Sequence, residues 1–301
     1  MRLATSTNIA SERPDRENLS LHETLRLASQ AGFDRFDLCF YDWSGPDSPF
    51  VGGGWEHWIG SVAEEAQRLG VTFGQCHAYT YDFLRPSYTS EEREHHEMLL
   101  RRSLKCCTIL GSTVCVVHPD TDRSSPRPMA ASREKNREYF KRLMEDTVRL
   151  DMDLAIENMC DYSIAPQRKF FVTPEEIVDF VDDFGDSRLG VCWDFEHGDI
   201  QEIDQPAALR LLGRRLKATH VSDTASKTYE PLMHIMPYFG FTRWEEIMPV
   251  LRETGYQGDF SYEAHNYAKR MPEALLPAAL RFSYEIGQYL MSLWQDAAER
   301  P

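Results

Sequence analysis

Six apolar segments of the chain each deliver a histidine or a carboxylate where the segment ends. In chain order these residues are His77, His118, Glu157, Asp194 with His197 just beyond it, His220 and Glu263. Any one of them alone is more often a structural residue or a helix cap than a functional one. As a set they are costly to bury together, because converging carboxylates repel one another unless a cation lies among them.

Four of these residues, Glu157, Asp194, His220 and Glu263, offer three carboxylates and one imidazole. Such an oxygen-rich set with a single nitrogen suits a divalent metal such as Mn²⁺, Mg²⁺ or Co²⁺ better than a thiolate site would. A metal would also explain the segment "VCWDFEHGD" (191–199), in which a buried apolar run ends in ionisable groups. The pattern therefore predicts one divalent ion facing Asp194.

Segments with two different periodicities must position these residues. Short apolar runs predict strands, and the stretches between them, such as 137–150 and 175–184, carry apolar residues at helical spacing. The runs cover residues 3–8, 36–41, 71–77, 113–118, 152–157, 189–194, 217–222 and 258–263. Strict alternation of eight strands with eight helices implies parallel strands joined by right-handed crossovers. The chain of 301 residues is therefore predicted to be an α/β protein, a (β/α)8 TIM barrel, with a single domain over residues 1–301.

An open, doubly wound sheet is the alternative architecture. It is disfavoured because "VGGGW" at 51–55 lacks the G-x-G-x-x-G spacing of a phosphate-binding loop. Capping boxes at Ser20–Glu23, Thr173–Glu176 and Thr242–Glu245 predict three helix starts, and residues 121–131 are predicted to form a surface loop. In a (β/α)8 barrel the C-terminal ends of the strands meet at one mouth, so the six strand-end residues are expected to converge there.

The composition narrows the classes of partner. The chain is 42% hydrophobic with a formal net charge of −15, which describes a globular protein whose surface repels phosphate backbones and anionic lipid. We therefore expect no nucleic-acid or membrane partner. The N-terminal segment has no apolar run typical of a signal peptide, and no stretch approaches 18 apolar residues. The seven cysteines include no C-x-x-C pair, which favours buried free thiols and a cytoplasmic location. Assembly into a homo-oligomer is left as an open alternative.

Several short motifs occur in an order that resembles a known family. They are "HP" at 118–119, "AIENM" at 155–159, "CWDFEH" at 192–197, "THVSD" at 219–223, "HIMPYFGF" at 234–241 and "SYEAH" at 261–265. In this order and spacing they resemble the xylose isomerase-like TIM barrels, the sugar phosphate isomerase/epimerase group related to endonuclease IV. The resemblance covers nearly the whole chain.

The resemblance implies roles for individual residues. It implies metal ligation by Glu157, Asp194, His220 and Glu263, with Mn²⁺ favoured and Zn²⁺ a further alternative. It also implies that Glu157 and Glu263 are the catalytic acid/base pair and that His197 contacts a substrate oxygen. The residues His77, His118 and His234 match zinc ligands of the endonuclease branch, and they are expected to line the substrate pocket here.

The chain departs from the family pattern at four places. Glu196 replaces the glycine of D-x-G-H, and Tyr238 replaces the first glycine of H-x-L-P-G-x-G. Ketohexose 3-epimerases carry an arginine and a glutamate where this chain has Ser226 and Ser163. These departures leave the metal chemistry better supported than any particular sugar.

The predicted function is a metal-dependent sugar isomerase or epimerase. It would act on a small polyhydroxylated carbonyl compound, a sugar or polyol, by proton abstraction and an enediolate intermediate. The alternative on the same barrel is a metal-dependent lyase, either a dehydratase or a C-glycoside-cleaving enzyme. A zinc-dependent abasic-site endonuclease is disfavoured by the acidic balance. A non-catalytic sugar-binding subunit is disfavoured because sensing needs no acid/base pair.

Overall fold

Eight parallel strands close into one barrel in the computed structural model, which describes residues 1–14, 16–161 and 167–297. Each strand pairs with the next along the chain, and the last pairs with the first. The strands are β1 (Arg2–Ser6), β2 (Arg35–Cys39), β3 (Thr72–His77), β4 (Val114–Val117), β5 (Asp153–Glu157), β6 (Leu189–Asp194), β7 (Leu216–Val221) and β8 (Asp259–Tyr262). The predicted (β/α)8 barrel is confirmed, and the open sheet is excluded.

Helices surround the barrel and also cover part of its mouth. Across the described ranges they are α1 (Asn8–Ser11), α2 (Leu21–Ala31), α3 (Trp55–Leu69), α4 (Ser90–Ile109), α5 (Pro128–Leu150), α6 (Pro174–Phe184), α7 (Phe195–Ile200), α8 (Gln205–Leu212), α9 (Trp244–Glu253), α10 (His265–Ala268) and α11 (Leu276–Asp296). Helices α1, α7 and α10 are short and follow β1, β6 and β8 at the barrel mouth. The other eight helices provide the alternation that the sequence predicts.

Two local predictions are wrong at their boundaries. Thr242 does not cap a helix: α9 begins at Trp244, and the Thr242 hydroxyl donates to the carboxylates of Asp199 and Asp223 instead. The loop predicted over 121–131 ends early, because Pro128 occupies the first turn of α5. By contrast, Ser20 forms the full capping box with Glu23.

The predicted capping box at Thr173–Glu176 is half formed. The Thr173 side chain accepts a hydrogen bond from the Glu176 backbone N–H, which caps α6 as expected. The Glu176 carboxylate, however, accepts from the Phe171 backbone and pairs with Arg168. The acidic residue of the box therefore fixes the loop before the helix rather than the cap.

The alternation of side chains along the strands determines which residues lie beneath the site. Inside the barrel, Val116, Ala155, Cys192 and Ala218 form a small buried cluster. Side chains two positions apart on a strand point to the same side of the sheet. The next inward positions, two residues further along the same four strands, are His118, Glu157, Asp194 and His220. The apolar layer thus supports a polar layer directly above it, at the C-terminal mouth.

Two other sequence-based expectations concern thiols and membranes. All seven cysteines are free, and all are buried except Cys160, which is half-buried. Within the described ranges, every helix is too short or too polar to cross a lipid bilayer.

Candidate active site

A large cavity opens at the C-terminal mouth of the barrel. Its volume is about 1830 Å³, and its walls include most of the histidines and glutamates singled out from the sequence. The predicted site residues that line it are His77, His118, Glu157, His197, His234 and Glu263. Asp194 and His220 are 0% and 1% exposed and contribute from below the cavity floor. The structure therefore brings the six strand-end residues and His234 to one region.

Four side chains meet closely enough to share one cation. Glu157, Asp194, His220 and Glu263 each offer one ligand atom, and these atoms all lie within 4.8 Å of one another. Glu157 ends β5, Asp194 ends β6, His220 lies in β7 and Glu263 directly follows β8. Because all four come from strand ends, the barrel framework holds their backbones in place.

His220 lies between the two glutamates. Its Nδ1 is 3.2 Å from Glu157 Oε2 and 3.1 Å from Glu263 Oε2, yet it has no hydrogen bond of acceptable geometry. Burial lowers the pKa of His220, but the opposing effects of Cys192, Glu263 and Glu157 raise that pKa well above its usual value. The site thus favours positive charge at the point where the carboxylates converge.

Two buried ligand atoms lack hydrogen-bond partners, and this tests the fit of a metal. They are Asp194 Oδ2 and His220 Nδ1. A buried polar atom without a partner is costly, and polar groups in native proteins are rarely left in this state. Both atoms belong to the four-residue cluster, whose donors are the oxygens and imidazole that Mn²⁺, Mg²⁺ and Co²⁺ accept. The residues present therefore fit a divalent ion.

Asp194 is held from two sides. Its Oδ1 accepts from the backbone N–H of His197 at 2.9 Å, which makes Asp194 the N-cap of α7. Its own backbone exchanges two hydrogen bonds with the Asn158 side chain, at 2.6 Å to Oδ1 and 3.0 Å from Nδ2. Burial raises the pKa of Asp194, and His197 opposes that shift. The cap leaves Oδ2 as the free ligand atom.

His77 and His118 form one wall beside Glu157. Their Nε2 atoms lie 3.0 Å apart, and they are 3.2 and 3.1 Å from Glu157 Oε2. Burial lowers the pKa of His77, but the hydrogen bond and the negative charge of Glu157 oppose this effect, and the pKa of His77 lies above its usual value. For His118 burial dominates, and its pKa lies below the usual value. His77 also stacks on His220, with ring centroids 5.2 Å apart.

The same wall offers a second group of ligand atoms. His77, Glu157 and His220 could together hold a metal ion, and they share two residues with the four-residue cluster. This smaller group has one carboxylate and two imidazoles. The larger group has three carboxylates, whose mutual repulsion a divalent cation would relieve more than it would in the smaller group.

His197 is held by the residue that follows β5. Its Nδ1 donates to the Asn158 carbonyl at 2.7 Å and lies 3.4 Å from Glu157 Oε1. Burial lowers its pKa, but Asp194, Cys160 and Glu157 raise the pKa of His197 well above the usual value. The ring contributes to the cavity wall without being part of the four-residue cluster.

Glu196 accounts for one departure from the family pattern. It is fully buried and accepts hydrogen bonds from Ser222 Oγ and from the His234 backbone N–H. His234 has a φ of 48°, and its Nε2 lies 3.7 Å from Glu196 Oε1. The glutamate thus anchors the loop that carries His234 to the cavity wall.

Two further departures, at Ser226 and Tyr238, lie outside the cluster. Ser226 Oγ accepts from the backbone N–H groups of Thr228 and Tyr229, so it closes a turn. Tyr238 is exposed with a φ of 73°, and its hydroxyl donates to Glu245. Ser163 lies outside the described residues.

Sequence reasoning missed three residues of the site. His265 lines the cavity and stacks on His234 at 4.4 Å, and burial together with His234 lowers its pKa to about 3. Asn158 fixes Asp194 and His197, and Asp37 of β2 contacts His220. His265 and Asn158 belong to the motifs "SYEAH" and "AIENM", so the motif boundaries held a usable signal.

Comparisons with known proteins agree with this architecture. A D-psicose 3-epimerase of Enterocloster bolteae is 34% identical over 86 residues, which is 29% of this chain and 26% of that protein. The crystal structure of a D-tagatose 3-epimerase-like protein superposes with a TM-score of 0.76 at 17% identity, covering 99% of this chain and 100% of that one. The 3-keto-D-glucoside 4-epimerase of E. coli gives a TM-score of 0.71 at 18% identity, covering 96% and 99%.

The family assignment rests on a sequence model rather than on these structures. At such low identity the structural matches establish a shared fold. The model described as "Xylose isomerase-like TIM barrel" matches residues 25–286, most of the chain. The chain therefore belongs to the xylose isomerase-like TIM barrel family.

Proposed function

We propose that the chain is a divalent-metal-dependent sugar isomerase or epimerase. The observation that carries this proposal is the cluster of Glu157, Asp194, His220 and Glu263, whose ligand atoms lie within 4.8 Å at the floor of a cavity of about 1830 Å³. When bound, the cation would hold substrate oxygens and stabilise the negative charge that develops next to a carbonyl. In this proposal Mn²⁺ is the favoured ion.

The two glutamates are proposed to move the proton. Glu157 and Glu263 line the cavity, and the pKa of each is lowered. Burial raises the pKa of both carboxyl groups, but the nearby histidines, His220 first, more than offset this rise. Both groups are therefore held as carboxylates, which can accept a proton. One glutamate removes the proton from the carbon next to the carbonyl. The other returns a proton, and return to the opposite face inverts that carbon.

Histidines around the glutamates are proposed to bind and orient the substrate. His197, His77, His118 and His234 line the same cavity and come from four different strand ends or loops. Their rings are fixed by packing or hydrogen bonds, and such pre-positioned polar groups select substrate orientation in concave sites.

The comparisons support a sugar substrate. The similar proteins are named as sugar epimerases: a D-psicose 3-epimerase, a D-tagatose 3-epimerase-like protein and a 3-keto-D-glucoside 4-epimerase. The first match covers only a quarter of that protein, and the structural matches are below 20% identity. The particular sugar is accordingly left open, and a small sugar or polyol is proposed as the partner.

One observation favours a second candidate. The cavity of about 1830 Å³ exceeds the roughly 300–1,000 Å³ of most small-molecule pockets. Aromatic side chains including Trp43, Tyr81 and Tyr88 line its outer part. A glycoside would use this space better than a free ketose would, so a lyase that cleaves glycosides after the same proton abstraction is the alternative.

The acidic character of the cavity rim disfavours a nuclease. Glu12, Glu17, Asp42, Asp82 and Asp120 all line it. Carboxylates at these positions repel a phosphate backbone, whereas nucleic-acid binding uses clustered Lys and Arg. We therefore propose no nucleic-acid partner.

Solvent deuterium tests the proposed reaction. Purified protein loaded with Mn²⁺ would be incubated in D₂O with a panel of ketoses, inososes and glycosides, and products followed by NMR and mass spectrometry. An isomerase or epimerase gives a product of substrate mass plus deuterium at the carbon next to the carbonyl. A lyase instead releases water or an aglycone.

Variants connect this reaction to the glutamates. Glu157→Gln and Glu263→Gln are each expected to lower turnover roughly 10²–10⁴-fold, because the amide cannot accept the proton. Tyr289→Phe, on an exposed face of α11, is the control. Transfer of substrate-derived hydrogen between carbons with no solvent deuterium at short times would replace proton abstraction by a hydride shift and contradict the glutamate roles.

A further inference from the structure

A buried carboxylate lies behind the histidine of the cluster. Asp37 is in the middle of β2 and is 1% exposed. Its Oδ2 is 3.4 Å from Nε2 of His220. This is the ring nitrogen opposite Nδ1, which faces Glu157 and Glu263. The imidazole thus lies between a carboxylate at its back and the glutamate pair at its front.

Neighbouring strands hold Asp37 in place. Gln75 of β3 donates from Nε2 to Asp37 Oδ2 at 2.7 Å, and Ser261 of β8 donates from Oγ to the same oxygen at 3.3 Å. In the described part of the chain, His220 is the one ion-pair partner of Asp37. The carboxylate is therefore fixed by neutral donors and directs its charge at one imidazole.

The contact determines which nitrogen of His220 can bind a metal. A carboxylate can only accept, so the Asp37 oxygen 3.4 Å from Nε2 favours the tautomer that carries its proton on that nitrogen. With a cation at the cluster, a proton on Nε2 would leave the Nδ1 lone pair free to face that cation, and a rotated ring would lose the contact with Asp37. Partners of this kind orient metal-binding histidines and fix their tautomer in many proteins.

We propose that Asp37 is a positioning residue that holds His220 with Nε2 protonated and Nδ1 directed to the cation. This inference rests on the proposed metal-dependent function and adds a residue from β2, a strand that contributes none of the predicted metal ligands. Asp37 touches neither the cavity nor the substrate; it acts through His220.

The affinity of the metal-free protein for Mn²⁺, measured by calorimetry, tests the role. Asp37→Asn is expected to raise the Kd about 10–100-fold, because an amide orients the ring less strongly than a carboxylate. The control is Asp259→Asn, a buried carboxylate of β8 that pairs with Arg35 instead of His220. It is expected to leave the Mn²⁺ affinity unchanged.

A milder variant protects the test against misfolding. Gln75→Met removes the amide that holds Asp37 and keeps both Asp37 and His220. It is expected to raise the Kd about threefold, in the range of a single hydrogen bond. Unfolding temperatures in EDTA, recorded for every variant, separate a loss of stability from a loss of metal binding.

The outcomes separate this inference from the proposed function. If Asp37→Asn and Gln75→Met lower the unfolding temperature in EDTA but keep the wild-type Kd, Asp37 is structural and the inference is overturned while the function stands. If the wild-type protein binds no Mn²⁺, the metal-dependent function fails and the inference fails with it. Weaker binding in both variants, with Asp259→Asn unchanged, supports the positioning role.

Discussion

The buried carboxylates at the two ends of the barrel have different partners. At the N-terminal end, two buried or half-buried carboxylates have basic partners: Asp259 pairs with Arg35, and Asp153 Oδ2 lies 2.5 Å from Lys217 Nζ. The backbone of Gly74 packs against the first of these pairs, where a Cβ would overlap the Asp259 carboxylate and the Arg35 guanidinium. Charge at this end is neutralised by the chain itself.

The carboxylates of the four-residue cluster at the C-terminal end have different partners. In the part of the chain that the structure describes, the ion-pair partners of Glu157, Asp194 and Glu263 are all histidines, with no Lys or Arg among them. A histidine balances a carboxylate only when it is protonated, and even with His197 and His220 both protonated the three carboxylates exceed these two positive charges by one. The comparison teaches that basic partners neutralise the carboxylates at one end, whereas the proposed cation would neutralise those at the other.

The largest expected effect is the loss of metal when a residue of the four-residue cluster is replaced. Asp194→Asn and His220→Ala each remove a ligand, so metal content should fall from about one equivalent in the parent to near zero. Elemental analysis of protein purified without chelator measures this. Lys217→Met, at the opposite end, is the matched control and should keep the parental metal content. Parental metal in Asp194→Asn and His220→Ala would show that the ligand assignment is wrong.

A smaller effect, on the free energy of unfolding, is expected when the Arg35–Asp259 pair at the N-terminal end is disturbed. Gly74→Ala places a methyl group into the Arg35–Asp259 pair and should cost about 1–3 kcal/mol of the free energy of unfolding. Urea unfolding measures that cost. Metal content should stay at the parental level. Gly60→Ala, where a Cβ meets open space, is the control. Loss of metal in Gly74→Ala would mean that the two ends are coupled and not separate in role.

The smallest effect concerns a residue at the mouth that lies beside the cluster. His197→Ala should retain its metal and lower kcat/KM about tenfold, chiefly through KM, because it removes one contact to a substrate oxygen. Steady-state kinetics on a turned-over substrate and elemental analysis of the same preparation measure the two quantities. Loss of metal would place His197 among the ligands and would enlarge the four-residue cluster.

The sequence predicted the barrel and the convergence of its strand-end residues because both follow from periodicity. Residues that end apolar runs must meet at one mouth once the strands are parallel, and positions two apart share a face. The inward register that places Glu157 above Ala155 and Asp194 above Cys192 was therefore implicit in the sequence.

The residues that support the ligands were harder to predict. Asp37 lies inside "FDLCFY" and gives no periodic signal, because its partner His220 is 183 residues away and only closure of the barrel brings them together. The false cap at Thr242 has a similar cause. Its hydroxyl is taken by Asp199 and Asp223, contacts that a local motif cannot include.

Anomalous diffraction from crystals grown with Mn²⁺, recorded at the manganese edge, tests the central claim most directly. The account predicts one strong peak per chain, at bonding distance from Glu157, Asp194, Glu263 and Nδ1 of His220. A peak held by His77, Glu157 and His220 without Asp194 and Glu263, or no peak at the barrel mouth, would contradict it.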